Sequence, residues 1–322
     1  MPSLKEIKTR IASVKGTRKI TSAMKMVASS KLHHAQVAIQ NMLPYENMLE
    51  RILKTFLVSV PDAESPFDVE RPVRRVALIV YSSNSSLCGG FNSNVIRKMQ
   101  DVVAGYKAQG ISDITVYPVG RKVAEKVTKM GLTVGGDFVD LADKPNAQGC
   151  TAIAEEIAQK FIGGDYDRVE MIYHHFKSAG SQILTRREFL PIDLDVENIG
   201  VYNDRDLGSN LVTAKAQEYL RTRGRRAKAQ DGEVHELNDD FIVEPDKESI
   251  LQTLIPKLLH LMVYTALLDS NASEHAARMV AMQTATDNAD ELLRTLNLQY
   301  NKSRQAAITN ELLDLAGGKV ND

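Results

Sequence analysis

The chain of 322 residues is 43% hydrophobic and 25% charged, enough apolar material for one large or two ordinary folded domains with a proper core. Its formal net charge of −1 excludes a chain that is basic or acidic as a whole, and aromatics at only 6% with no Trp point to Leu, Ile, Val, Ala and Met packing between helices. Cys88 and Cys150 form no CxxC or metal-type spacing, which argues against a disulfide framework and a zinc site and suits a reducing compartment, and no apolar run approaches the ~18 residues needed to cross a bilayer.

The first element starts at once. Ser3 with Glu6 makes a capping box, and Leu4, Ile7, Ile11 and Val14 then repeat at three and four residues, the spacing of a coiled-coil seam. The pattern runs on less cleanly through Met24, Val27, Ala28, Leu32, Ala35, Ile39 and Met42, with a kink expected at Pro44 and the helix resuming from Tyr45 to about Leu57. Residues 1–36 carry Lys5, Lys8, Arg10, Lys15, Arg18, Lys19, Lys25 and Lys31 against the single acid Glu6. This stretch has the amphipathic, acid-poor character of a transit peptide, but its periodicity continues smoothly beyond residue 36, so it reads as mature structure.

After a turn-rich segment from Pro61 to Pro72 the texture changes to short β-branched runs alternating with helical patterns. Strands are predicted over 74–83, 113–120, 134–139 and 167–176, and helices over 92–109, 121–131 and 147–162. A half-exposed alternating strand at 181–191 is hairpinned onto the edge. Such alternation argues for a mostly parallel sheet with covering helices. Residues 198–243 are harder to place: 212–230 are basic, and 231–248 hold eight acids and one Lys. Neighbouring blocks of opposite sign screen one another or pair.

From Lys257 to Ala316 there is no Gly and no Pro, so nothing interrupts a helix of about 60 residues and roughly 90 Å. Asp246 or Ser249 can cap it, and Pro256 can bend its early turns. Its expected seam includes Leu258, Met262, Ala266, Ala277, Ala281, Leu292, Leu296, Ile308 and Leu315, and Ala277, Ala281, Ala285 and Ala289 make a stripe on which a second helix can lie close. The fold class is therefore α/β, a long antiparallel coiled coil of the N- and C-terminal helices with a central Rossmann-like α/β domain. Its parts are an N-terminal helix over 1–60, the α/β domain over 73–197, an insertion and return segment over 198–245, and a C-terminal helix over 246–322.

Candidate chemistry is sparse. "SSNSSLCGGFNSN" (82–94) lies where a phosphate loop would sit but has neither GxGxxG nor GxxxxGK[ST], so a tight Gly turn is the better reading. Cys88 lacks a visible partner base and reads as structural. His174 and His175, adjacent on a strand, point to opposite faces and cannot share a metal, and His33 and His34 belong to a solvated helical face. The basic N-terminal helix carries no nucleic-acid recognition motif, and its seam disfavours a helix lying on lipid, so an acidic protein partner fits best.

Three ordered segments carry a resemblance. "IKTRIASVKGTRKITSAMKMVASSKL", "LCGGFNSNVIR" and "ASEHAARMVAMQTATDNADELLRTLNLQYNKSRQAAITNELLDLAGG" resemble the gamma-subunit family of F-type ATP synthases over nearly the whole chain. The resemblance implies a non-catalytic rotor subunit without cofactors. Its coiled coil would rise through a ring of three alpha and three beta subunits, and its globular part, with epsilon, would sit on the c-ring, so that proton flow turns the shaft and drives beta through states of different nucleotide affinity. No nucleic acid is implied, and the membrane is reached only through partner subunits, on the cytoplasmic side of a bacterial membrane.

By matching motifs, Arg304, Gln305, Thr309 and Glu311, with Arg278, would make polar contacts to the ring, and Met24 and Lys25 would meet beta's acidic lever loop. Leu312 and Leu315 would turn in an apolar bearing, and Glu244 would sit at the foot near epsilon and the c-ring. Asn84, Ser85 and Ser86 stand where the family commonly shows Asp, Arg and Gly, which leaves the role of that charge pair in doubt here. Residues about 203–236 look like an insertion without Cys, so thiol regulation is unsupported, and its basic-then-acidic character suits folding back or touching beta to restrain ATP hydrolysis. The alternatives are a freestanding α/β nucleotide-dependent enzyme with coiled-coil arms, which predicts tight nucleotide binding by the chain alone, and a passive coiled-coil scaffold.

Overall fold

The computed structural model describes residues 3–59, 65–192, 205 and 247–317. Glu244, the possible cap Asp246 and all of the expected insertion except Arg205 lie outside the described residues. The chain divides into two compact units, one of 1–28 with 278–322 and one of 29–277.

Two helices contribute to both units. Helix α1 (Leu4–Ser59) runs through Pro44, and helix α6 (Lys247–Gly317) runs through Pro256. The capping box forms as expected: the Ser3 amide donates to Glu6 Oε2 at 3.0 Å and the Glu6 amide to Ser3 Oγ at 3.3 Å.

The larger unit is built on a five-stranded sheet. In chain order it comprises β1 (Arg75–Tyr81), α2 (Phe91–Ala108), β2 (Asp113–Val119), α3 (Arg121–Lys129), β3 (Thr133–Val134), α4 (Val139–Asp143), α5 (Ala147–Ile162), β4 (Arg168–Ser178) and β5 (Ser181–Leu190). The strand order is β3-β2-β1-β4-β5, with β1 parallel to β2 and β4, β2 parallel to β3, and β5 antiparallel to β4. Six of the seven β1 residues are buried, which is why that strand reads as a continuous apolar run. Val76, Leu78 and Val80 face α2 and α3 through Val95, Met99, Val123 and Val127. Ala77, Ile79 and Tyr81 face α5 together with Leu49 and Leu53 of α1 and Ile255, Leu259 and Val263 of α6. The Tyr81 hydroxyl donates to the Val263 carbonyl at 3.0 Å, and burial pushes its phenol well above the usual range.

The expected strand over 134–139 is only two residues long and is followed by α4. The ladder ends at Gly135, whose amide bonds the Val116 carbonyl at 2.8 Å and which lies so close on the Tyr117 ring that a Cβ would strike it. A further strand residue would need a side chain where that ring sits.

Gly120 joins β2 to α3 at φ 107°, and a Cβ there would meet the Ser82 carbonyl. Gly120→Ala is expected to cost at least about 2 kcal/mol, combining backbone strain with a clash against main chain that cannot rotate away. Denaturant melting checks this, and Gly110→Ala, whose Cβ would meet nothing within 4 Å at φ 84°, is the control for φ alone.

Candidate functional site

In the smaller unit the two helices meet along a seam. Ile7 and Ile11 pack with Leu293 and Leu296, flanked by Val14 and Tyr300. Further along α1, Arg18 Nε pairs with Asp290 Oδ1, and Thr21 Oγ1 lies 2.9 Å from Thr286 Oγ1. As numbering rises on α1 it falls on α6, so the helices are antiparallel. One threonine hydroxyl can donate across the seam while the other returns its proton to its own helix, at Arg18 O or Met282 O.

The seam is thus apolar towards Ile7 and polar at Arg18 and Thr21. Strict alternation of four and three from Ile7 gives Ile11, Val14, Arg18, Thr21, Lys25 and Ala28, so these polar positions were legible by continuing the heptad through residues that are not apolar. Two expected seam positions are corrected: Val27 is exposed and Ala28 is buried, and Leu292 is exposed while its neighbour Leu293 fills the seam. Ile308 and Leu315 are exposed as well: among the described residues, the seam cluster reaches no further along α6 than Tyr300. Of the small-residue stripe, Ala289 is buried, and Ala277, Ala281 and Ala285 are half-buried.

The residues marked by the motifs fall into two groups. Met24 and Lys25 are half-buried on α1, and Arg278 is half-buried on α6. Arg304, Gln305, Thr309 and Glu311 are all exposed on the last turns of α6, and Thr309 Oγ1 donates only along its own helix, to Gln305 O at 2.9 Å. Leu298, Leu312, Leu313 and Leu315 beside them are each more than 60% exposed. The last turns of α6 thus carry large apolar side chains and polar groups together on an exposed surface.

The other place to look for chemistry is the crevice at the carboxyl ends of the parallel strands, where open α/β sheets hold their ligands. Here α6 fills it. Leu267, Ser270, Asn271 and Glu274 close over Tyr81, Ser82, Val119 and Ala142, leaving a cavity of ≈ 10 Å³, about the room of one water. The Asn271 amide donates to Ala142 O at 3.0 Å and Ser273 Oγ to His174 O at 3.2 Å, fastening the helix there.

The loop after β1 is filled by its own side chains. Asn92 Nδ2 reaches Ser83 Oγ at 2.7 Å, Ser85 O at 3.2 Å and Cys88 Sγ at 3.1 Å, so the buried thiol is a packing group. At the start of α3 the first amides are already taken: Arg121 N by Asn84 Oδ1 at 2.8 Å, Lys122 N by Ser83 O at 3.2 Å, and Val123 N by Ser82 Oγ at 3.1 Å. Asn84 also donates to Val139 O and Asp143 Oδ2. A side chain that stands where the resembled family commonly has Asp is therefore the knot joining this loop, α3 and α4. None of these three backbone amides is left pointing out to cradle a phosphate.

His174 and His175 face opposite sides, as strand geometry requires. His174 stacks on Phe91 with ring centroids 4.4 Å apart, and burial holds its imidazole down to about 4. His175 Nδ1 lies 2.8 Å from Asp269 Oδ2 on α6. His33 and His34 are exposed.

The family model described as ATP synthase matches residues 3–320. The chain is 51% identical over 320 residues to the ATP synthase gamma chain of Phocaeicola vulgatus, covering 99% of this chain and 100% of that one. It is 50% identical, with the same coverage, to the ATP synthase gamma chain of Bacteroides fragilis strain ATCC 25285. Among solved structures it is similar in fold to a chain of the Euglena gracilis mitochondrial ATP synthase rotor in rotational state 1, with TM-score 0.56, 18% identity, and 95% and 98% of the two chains covered. A chain of the OSCP/F1/c-ring structure from the same organism in rotational state 3 gives TM-score 0.59 at 19% identity, covering 98% and 93%.

Two outcomes follow from this geometry. Titration calorimetry of the full chain with Mg-ATP should show no binding tighter than about 1 mM, because the crevice is filled; a micromolar site would restore the enzyme alternative. His174 must stay neutral when folded, so stability should be intact above pH 6.5 and fall as pH drops towards 4, by up to about 3 kcal/mol. His174→Phe should flatten that part of the pH–stability profile.

Proposed function

This chain belongs to the ATP synthase gamma-chain family, and on that premise we propose how it works as the central stalk of the complex. It is the non-catalytic rotor subunit of an F-type ATP synthase, coupling rotation of the c-ring to conformational change in the catalytic beta subunits. The paired ends of α1 and α6 turn inside the ring of alpha and beta subunits. The α/β unit, with the epsilon subunit, is the mount on the c-ring, and Glu244 belongs to that foot. The segments 1–60 and 246–322 are the shaft, 73–197 the mount, and 198–245 the return segment.

The observation that carries this reading is the last part of α6. Beyond Tyr300 the helix continues to Gly317, and Arg304, Gln305, Thr309 and Glu311 stand exposed on it among large apolar side chains. Contacts of apolar surface are non-directional, so Leu312 and Leu315 can slide in a bearing. Charged and amide groups are directional, so Arg304 and Gln305, with Arg278 nearer the base of the shaft, can hold one angular position better than another. That difference is what a rotor must supply, because a shaft shifts the equilibrium among beta states only by binding them unequally.

The exposed lysines and arginines of α1, from Lys5 to Lys31, give the same part of the shaft a positive surface, on which Met24 and Lys25 meet an acidic loop of beta. No described helix is long and apolar enough to cross a membrane, in keeping with a subunit that reaches the membrane through its partners. We place it on the cytoplasmic side of a bacterial membrane, in keeping with its bacterial relatives, and take protons as the coupling ion.

Reconstitution with alpha and beta subunits from the same source tests the residue roles. Arg304→Ala with Gln305→Ala is expected to lower multisite ATP hydrolysis about tenfold, the effect of losing roughly 1.4 kcal/mol of differential contact. The melting of the free chain should move by less than about 0.5 kcal/mol, since both side chains are exposed. Unchanged turnover in an assembled complex would remove these two residues from the coupling surface.

A further inference from the structure

Within the larger unit, α1 and α6 each bring a buried carboxylate to one cluster of charge. Glu46 on α1 and Asp269 on α6 are carboxylates whose side chains are only 10% and 1% exposed. The cation between them comes from neither helix. Arg205 Nε lies 2.8 Å from Asp269 Oδ1, its Nη2 3.1 Å from Oδ2, and its Nη1 3.3 Å from Glu46 Oε2. Its own side chain is 2% exposed. On the far side, His175 of β4 reaches Asp269 Oδ2 at 2.8 Å, so one carboxylate oxygen is shared by a guanidinium and an imidazole.

Further charged or titratable groups act on this site from each neighbouring element: Glu50 on α1, Arg187 on β5 and Tyr173 on β4. Burial drives the Glu46 carboxyl up and Arg205 pulls it back, with a net rise. Burial also opposes the charge of Arg205, but Asp269 and Glu46 outweigh it and hold the guanidinium firmly protonated. A planar fork that bonds one carboxylate at two points and another at a third is geometry that Lys does not reproduce.

We propose that Arg205 is a latch, a buried counter-ion inserted between the two long helices, on which their closure over β4 depends. With Arg205 seated, two carboxylates on facing helices are bridged through one cation. With it withdrawn, Glu46 and Asp269 become a buried like-charged pair, His175 is left as Asp269's remaining partner in this cluster, and the helices are driven apart at this level. The inference stands on this cluster alone and does not depend on how the subunit works in the complex.

The test uses the full chain and four variants, Arg205→Met, Arg205→Lys, Glu46→Gln/Asp269→Asn, and the triple Arg205→Met/Glu46→Gln/Asp269→Asn. Thermal melting is followed from pH 8 to pH 5.5, with amide hydrogen exchange at pH 7.5. Arg205→Met is expected to lower the melting midpoint by roughly 10 °C at pH 7.5. Its deficit relative to wild type should shrink towards pH 5.5, because a carboxylate whose folded pKa is raised regains stability as pH falls. The triple variant should recover at least half of the loss, Arg205→Lys should fall between, and the carboxylate pair variant should be less stable than the triple because it leaves Arg205 buried without its anions. Exchange in Arg205→Met should quicken roughly 100-fold over 42–53 and 262–272 but not in β1. If Arg205→Met fails to fold, folding of the triple variant supports the latch and its failure overturns it. A midpoint within about 2 °C of wild type, or a triple variant no better than the single one, also overturns it.

Discussion

Two helices of 56 and 71 residues cannot each find a separate core to bury against, and the packing of α1 with α6 is the constraint on which the remaining features rest. Both compact units contain a part of each helix. Among the described residues of the smaller unit the helices pack on each other alone, which is why the seam falls on heptad positions from Ile7 to Ala28 and why large apolar residues off that seam, such as Ile20 and Met26, stay exposed. In the larger unit the same two helices close one face of a sheet, with Leu49, Leu53, Leu259 and Val263 meeting Ala77, Ile79 and Tyr81.

This arrangement explains how a layout that commonly binds nucleotides comes to have a mechanical role. The strand ends supply the crevice where such a fold holds its ligand, and α6 occupies it, with Asn271 bonded to the Ala142 carbonyl of α4 and Ser273 to the His174 carbonyl of β4. The loop after β1 is filled by Ser83, Asn92 and Cys88, and α3 begins with its amides already spent. What would be a binding site is a joint between helix and sheet. A firm joint suits a body that has to transmit displacement without absorbing it.

Much of this was legible in the sequence. The capping box at Ser3 and Glu6, the buried strand at 75–81, the helix at 147–162 and the antiparallel edge strand all follow from local pattern. The two-residue β3 did not, because the ladder is ended by Tyr117 packing on Gly135, a contact between separate segments. Val27 and Leu292 are apolar yet lie off the seam, because the heptad passes through Arg18, Thr21, Thr286 and Asp290, whose partners are visible only once the register of both helices is known. Arg205 gave no signal at all: it sits in a mixed polar stretch, and its anions are 64 and 159 residues away. Arg304 and Gln305 are exposed on the last turns of α6, and the ring contact proposed for them comes from the family motif and not from any pattern in the helix itself.

The most direct measurement of the central claim is rotation itself. The chain, with a surface cysteine introduced at the exposed Lys107 and both buried cysteines kept, would be assembled with alpha and beta subunits of the same source on a fixed support, and a bead on that cysteine would be watched under Mg-ATP. The account predicts rotation in one sense with three pauses per turn, set by three beta subunits around one asymmetric shaft. A bead that fluctuates without direction while the complex hydrolyses ATP would contradict it.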